Sequence, residues 1–207
     1  MGFSIPRFYA ILDAEQAGDR PLAALCDLLL AGGVRLIQYR DKKASSRELF
    51  ETSRQIAERV RSAGGIFIVN DRADVAQAAG ADGVHVGQED LPVELARRVL
   101  EPGQYVGYST HHLEQVVAAD WSSADYIAFG PIFPTESKTR PDPVVGLEGL
   151  REARRATRKP LVAIGGITLG NVRDVMDAGA DSVAVIGDLL RASDVGARAR
   201  EFLTVLG

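Results

Sequence analysis

Residues 66–90 read IFIVNDRADVAQAAGADGVHVGQED. The apolar run IFIV ends in Asn70-Asp71, an alanine-rich helical segment follows, and a second run, GVHVG, ends at Gln88-Glu89-Asp90. A strand, a helix and a strand in so short a span form a βαβ unit, whose two strands lie parallel. Both then finish on the same edge of the sheet, each in a carboxylate. Taken singly, Asp71 fits a helix cap as well as a metal ligand, and Asp90 reads as a solvated loop residue. Only their shared edge brings them together.

The same unit recurs on both sides of this stretch. Candidate strands are FYAILD, RLIQYR, IFIVND, GVHVG, YVGYS, YIAFGPIF, LVAIGG and SVAVIG, and segments of helical spacing lie between them, such as PLAALCDLLLAGG, SRELFETSRQIAERVRSAG, VELARRVLE and NVRDVMDAGA. With ARAREFLTVL as the last helix, eight strand-helix units fit into 207 residues. That density predicts a closed (β/α)8 barrel, one domain over residues 1–207, rather than an open sheet. A weak repeat supports it: AGADGVHVG at 79–87 and AGADSVAVIG at 178–187 share a helix-ending glycine and an Ala-Asp turn, and SADYIAFG at 123–130 is a looser copy. The least regular segment, PTESKTRPDPVVG at 134–146, reads as a loop on its prolines and mixed charge.

Composition narrows the function. With 46% hydrophobic and 25% charged residues the chain has a globular balance. The net charge of −4 argues against nucleic acid as the main partner, while leaving room for a local cationic pocket. No stretch is apolar enough to span a bilayer, and the first residues lack the pattern of a signal peptide. Cys26, the sole cysteine, lies in the apolar run LAALCDLLL and reads as packing; with no disulfide possible within one chain, a cytoplasmic setting is expected. An assembly of identical chains is compatible with all of this.

Barrels of this kind gather their chemistry at the C-terminal strand ends. Those ends supply Gln38, Arg40 and Lys42; Asn70 and Asp71; Gln88 and Asp90; Ser109; Thr135, Ser137 and Lys138; Gly165 and Gly166; and Gly187. Arginine forks, lysine charges, two carboxylates and backbone-exposing glycines suit phosphorylated substrates and a hard cation such as Mg2+, which takes one or two protein carboxylates and keeps several waters. A second phosphate fits the glycine turns IGGITLGN and VIGDLL. Each feature also has a structural reading: Arg40-Asp41-Lys42 as a charged turn, and Gly165-Gly166 as an ordinary strand-helix turn. His85, between Val84 and Val86, reads as a hydrogen-bonded structural histidine, and His111 and His112 as surface residues at a helix start.

At these residues the sequence resembles thiamine-phosphate synthase, from about Tyr9 to Leu190. IQYRDK is similar to that family's Q-x-R-x-K motif, and NDRADVAQAAGADGVHVGQEDL, GPIFPTESK, VAIGGI and AGADSVAVI follow in its order and spacing. The resemblance implies a (β/α)8 transferase that joins an aminopyrimidine methyl diphosphate to a thiazole phosphate, releasing pyrophosphate. It implies that Gln38, Arg40, Lys42, Asn70, Ser109 and Lys138 bind the pyrimidine diphosphate and that Asp71 and Asp90 hold Mg2+. Thr135, Ser137 and Gly166, with the backbone of Ile186 and Gly187, would take the thiazole phosphate. Arg40, Lys42, Ser109 and Lys138 are then the catalytic candidates. Two departures stand out: Gly187 sits where many members carry serine, and Glu136 falls between two phosphate-binding positions. The alternatives are a related thiazole tautomerase, which has no use for a diphosphate or metal set, and a non-catalytic barrel that binds thiamine intermediates.

Overall fold

The computed structural model describes residues 5–135 and 142–207. Eight parallel strands close into a barrel in sequence order: β1 Phe8–Asp13, β2 Leu36–Arg40, β3 Ile66–Asn70, β4 Gly83–Val86, β5 Tyr105–Thr110, β6 Tyr126–Phe129, β7 Leu161–Ile164 and β8 Ser182–Val185. The seam is closed by β1 against β8, with Phe8 opposite Val183. Outside run α1 Ala14–Ala17, α2 Leu22–Ala31, α3 Ser46–Ser62, α4 Ala73–Ala79, α5 Val93–Val99, α6 Leu113–Asp120, α7 Gly146–Ala156, α8 Val172–Asp177, α9 Gly187–Leu190 and α10 Val195–Leu206. The short helices α1 and α9 have too few residues to carry a periodic signal, and the sequence does not announce them.

Each strand is buried on both faces, and the period of two splits its side chains between two cores. Tyr9, Ile11, Leu36, Ile68, Tyr126, Ala128, Val162 and Ala184 fill the barrel interior. Phe8, Ala10, Leu12, Ile37, Tyr39, Val84, Val86 and Phe129 face the helices instead. The two-residue step that puts Leu36 inside also carries Gln38 and Arg40 inward along β2. Cys26 lies wholly buried in the outer core, where loss of hydration pushes its thiol up to about 12, in keeping with packing.

The repeated Ala-Asp turn performs one task three times. Asp82, Asp125 and Asp181 each precede a strand, and each carboxylate accepts the backbone N–H of the neighbouring strand: Phe67 at 2.8 Å, Val106 at 2.7 Å and Leu161 at 2.8 Å. In return the backbone N–H of each aspartate donates to the carbonyl of that same residue, at 2.8 Å in all three cases. The turns thus clamp β3 to β4, β5 to β6 and β7 to β8 at the N-terminal end of the barrel.

One expected strand is shorter. YIAFGPIF stops pairing as β6 at Phe129, because Pro131 has no N–H to continue a ladder. The chain nevertheless stays beside β7: Ile132 N donates to the Ile164 carbonyl at 2.9 Å and Phe133 N to that of Gly165 at 3.0 Å. Of the loop at 134–146, the described residues Pro134–Thr135 and Asp142–Val145 have no regular structure, and Ser137 and Lys138 lie outside the described residues, as does Glu136.

Candidate active site

Strand alternation directs Gln38, Arg40, Asn70, His85, Ser109, Ile164 and Ile186 to the C-terminal mouth, where they line a cavity that opens to solvent. Its floor is a chain of polar contacts across the barrel. Gln38 Nε2 donates to Tyr9 Oη at 2.7 Å, and Tyr9 Oη lies 2.9 Å from Tyr126 Oη. Tyr126 Oη is 3.1 Å from His85 Nδ1, and His85 Nε2 is 2.8 Å from Ser109 Oγ. Burial holds both phenols well above their ordinary range, so each keeps its proton. His85 is therefore hydrogen-bonded as its sequence suggests, but on the cavity side of β4.

One wall carries charge. Arg40 pairs with Asp13, the residue opposite it on β1, which is only 2% exposed and whose other oxygen accepts from Gln16 N at 2.9 Å. Lys42 donates to Asp71, and Asp71 also meets the carboxyl group of Asp90. Burial raises the Asp71 carboxyl above the usual range; Lys42 opposes the rise and Asp90 adds to it. Asp90 is tied back by the Gly87 N–H, which donates to its Oδ2 at 2.7 Å.

The helix-cap reading of Asp71 does not survive. The residue flanking α4 is Arg72, with no side-chain cap, and Asp71 stands at φ 64, the only non-glycine positive φ among the described residues. That left-handed turn aims its carboxylate at Lys42 and Asp90 instead of at the helix. No group of three or more His, Cys, Asp or Glu side chains suited to a metal occurs among the described residues. A hard cation here would take Asp71 and Asp90 and fill its shell with water and substrate oxygens, as Mg2+ characteristically does. Asp71 and Asp90, whose carboxyl groups meet, supply a donor pair of the kind that fits such an ion.

The opposite wall is backbone. Gly165 and Gly166 follow β7 at φ 98 and 62, and a Cβ on either would come within 2.5 Å of Pro131 or of the Pro134 carbonyl. Only glycine allows the chain this close, and Gly166 and Thr135 line both the first cavity and a neighbouring, more open one. Gly187 and Arg191 face this second space, and a Cβ on Gly187 would lie 2.5 Å from the Arg191 guanidinium. Position 187, where the resemblance led to an expectation of serine, is thus overlaid by an arginine side chain.

Two sequence expectations shift. His111 is not a surface residue: it lines the first cavity, with Nδ1 2.7 Å from the Gly130 carbonyl and Nε2 3.5 Å from Asp142. His112 is exposed and pairs with Glu114. Gln88 turns away from the cavity to brace β5, donating to the Ser109 carbonyl and accepting from Tyr108 Oη at 3.1 Å. Tyr9, Tyr126 and Arg191 carry no strand-end signal of the kind used to list the rim, yet all three shape its surroundings; Asp13, the last residue of FYAILD, is a strand end that the list passed over.

Fold and mouth together define a (β/α)8 barrel of the class that keeps its chemistry at the C-terminal face. Within that class, the family model described as thiamine monophosphate synthase matches residues 8–189, and the chain belongs to this family. A thiamine-phosphate synthase of Koribacter versatilis is 54% identical over 99% of this chain and 98% of its own length. One of Chloroflexus aurantiacus is 44% identical, over 94% of this chain and 90% of its own. Among solved structures, a thiamine phosphate pyrophosphorylase from Pyrococcus furiosus superposes with a TM-score of 0.88 at 36% identity, covering 97% of this chain and 95% of that one.

Proposed function

We propose that this chain is a Mg2+-dependent transferase that couples an aminopyrimidine methyl diphosphate to a thiazole phosphate, giving thiamine phosphate and pyrophosphate. The observation that carries the reading is that the neighbouring strands β2 and β3 end in Arg40, which lines the cavity and is held by Asp13, and in a group where Lys42 pairs with Asp71 and Asp71 meets Asp90, across the barrel from the glycine turns after β7. An isomerase of thiazoles has no use for that cationic and acidic wall.

In the reaction the bond between the pyrimidine's methylene carbon and the diphosphate oxygen breaks, and its electron pair leaves with pyrophosphate. The thiazole nitrogen supplies the pair for the new carbon–nitrogen bond. Arg40 and Lys42, with Lys138, neutralise the charge that develops on the leaving group. Asp13 holds the guanidinium of Arg40 in place from β1. Asp71 and Asp90 would hold Mg2+, which would supply further neutralisation of the leaving group's charge. Gln38, Asn70 and Ser109 orient the pyrimidine so that its electron-rich ring shares the positive charge on the methylene. Thr135, Ser137, Gly166 and the backbone of Ile186 and Gly187 hold the thiazole phosphate within reach. No protein nucleophile is needed. The reaction is assigned to the cytoplasm, in line with the lone buried cysteine; among the described residues no helix is long and apolar enough to cross a membrane.

Purified protein supplied with both substrates and Mg2+ is expected to release thiamine phosphate and pyrophosphate in equal amounts. Isomerised thiazole alone, or binding without product, would overturn the assignment. Asp71→Ala and Asp90→Ala are expected to lose turnover by at least about a hundredfold with unchanged circular dichroism, on the scale of removing a transition-state charge contact. Near-normal turnover of either at modest Mg2+ would refute the metal assignment.

A further inference from the structure

Residues 37–45 read IQYRDKKAS, so two lysines leave β2 side by side, and their chemistry alone does not say which belongs to the site. The structure sends them to opposite neighbours of β2. Lys42 meets Asp71 after β3, whereas Lys43 Nζ reaches Glu15 of α1 at 3.0 Å. The Lys43 and Glu15 side chains are 77% and 64% exposed, and so open a pair is too weak to fix the loop by itself.

The loop is fixed by Asp41. Its Oδ1 accepts the backbone N–H of Lys43 at 2.9 Å and that of Ala44 at 3.0 Å, a side-chain turn that closes the chain around Lys42. Its Oδ2 accepts from Tyr39 Oη at 3.3 Å. Tyr39 is buried in the outer core, and burial holds its phenol well above the ordinary range, so the hydroxyl stays protonated and donates. The turn is thereby anchored to the core through a ring two positions upstream. Asp41 does not cap α3, because Ser45 does so in a reciprocal capping box with Glu48. The connection from β2 to α3 is tied at both ends, and Lys42 stands between the ties.

We propose that Asp41 is a positioning residue for the coupling reaction: it touches no substrate, and its turn delivers Lys42 rather than Lys43 to the leaving diphosphate. The proposal rests on the synthase reading for the identity of the anion. It separates two properties of one carboxylate. The oxygens bond the turn, while the negative charge, flanked by Arg40 and Lys42, opposes a bound diphosphate. Asparagine keeps an oxygen for the two backbone N–H groups and drops the charge; alanine drops both.

The test is calorimetric binding of inorganic pyrophosphate with Mg2+ to the full chain, alongside steady-state kinetics with both substrates, for the native protein, Asp41→Ala, Asp41→Asn and Lys43→Gln. Asp41→Ala is expected to weaken pyrophosphate by at least about tenfold and to lower kcat/KM for the pyrimidine diphosphate by a similar factor, within the cost of a displaced contact, while the KM for thiazole phosphate stays within about twofold. Asp41→Asn is expected to bind pyrophosphate as tightly as the native protein or more tightly, and Lys43→Gln to stay within about twofold of it. Native-like pyrophosphate binding by Asp41→Ala overturns the proposal, as does an asparagine or a Lys43→Gln as damaging as the alanine. Equal weakening of both substrates in Asp41→Ala is the mark of general loosening and overturns it too. Hydrogen exchange in the native protein needs no variant: slowed exchange at the Lys43 and Ala44 amides supports the turn, and exchange at the rate of an unprotected loop overturns it. A native protein that neither binds pyrophosphate nor forms product refutes the synthase reading, whereas native turnover indifferent to Asp41→Ala refutes the role of the turn.

Discussion

Replacing Asp181 with alanine removes two bonds at the foot of the barrel. Its Oδ2 accepts from the backbone N–H of Leu161 at 2.8 Å and from Arg154 Nη1 at 2.6 Å. Leu161 is fully buried, so its N–H would be left without this acceptor, which costs about 1–3 kcal/mol. The ion pair contributes less, because the Asp181 side chain is 47% exposed and that of Arg154 26%; about 0.5 kcal/mol is a fair share for a screened surface pair. Asp181→Ala is therefore expected to cost about 1.5–3.5 kcal/mol, and Asp181→Asn, which keeps an oxygen for Leu161 and loses only the charge, less than about 1 kcal/mol. Urea unfolding followed by circular dichroism reads both as shifts of the midpoint at constant slope. An asparagine as costly as the alanine would refute the argument, since the stability would then lie in the charge and not in the backbone clamp. Asp82 offers a check: among the described hydrogen bonds and ion pairs its carboxylate meets only Phe67 N, so Asp82→Asn should be the milder of the two amide substitutions.

Gly107→Ala drives a methyl group to within 2.3 Å of Tyr126 Oη and is expected to cost at least about 2 kcal/mol by overpacking, read from the same unfolding curves; a loss below about 0.5 kcal/mol would show that the rings are free to part. Gly187→Ser meets only the end of a flexible arginine, so stability should stay within about 1 kcal/mol while the KM for thiazole phosphate changes as Arg191 is displaced; an unchanged KM would remove Arg191 from the site's surroundings. The thiol of Cys26, buried and pushed up to about 12, is expected to resist alkylation at neutral pH in the native protein and to react once urea unfolds it; rapid native labelling would contradict its packing role.

The barrel is readable from the chain because its signals are local. Valine and isoleucine runs mark the strands, a glycine ends the helix before β4, and the alternation that buries Leu36 points Gln38 and Arg40 inward without any long-range knowledge. Strand-end logic reaches Asn70, Asp71, Asp90 and Ser109 in the same way. What it misses depends on closure. Tyr9 and Tyr126 stand 117 residues apart and look like ordinary strand aromatics until the barrel sets their hydroxyls face to face. Asp71 followed by Arg-Ala-Asp has the composition of a helix start, and only its positive φ turns it toward Lys42. His111 looks exposed because its neighbour His112 is; one residue of rotation separates the cavity from solvent there. Arg191 follows the short helix α9, with no strand end to draw attention to it.

The aspartate clamps lie at the end of the barrel away from the mouth, joining strands two by two and leaving the C-terminal rim out of the arrangement. Such a division lets inheritance treat the two ends separately. Rim residues can then be exchanged without loosening the hinges that register neighbouring strands. Loss of the acceptor oxygen at Asp82, Asp125 or Asp181 would instead reach every rim residue carried on the strands it joins.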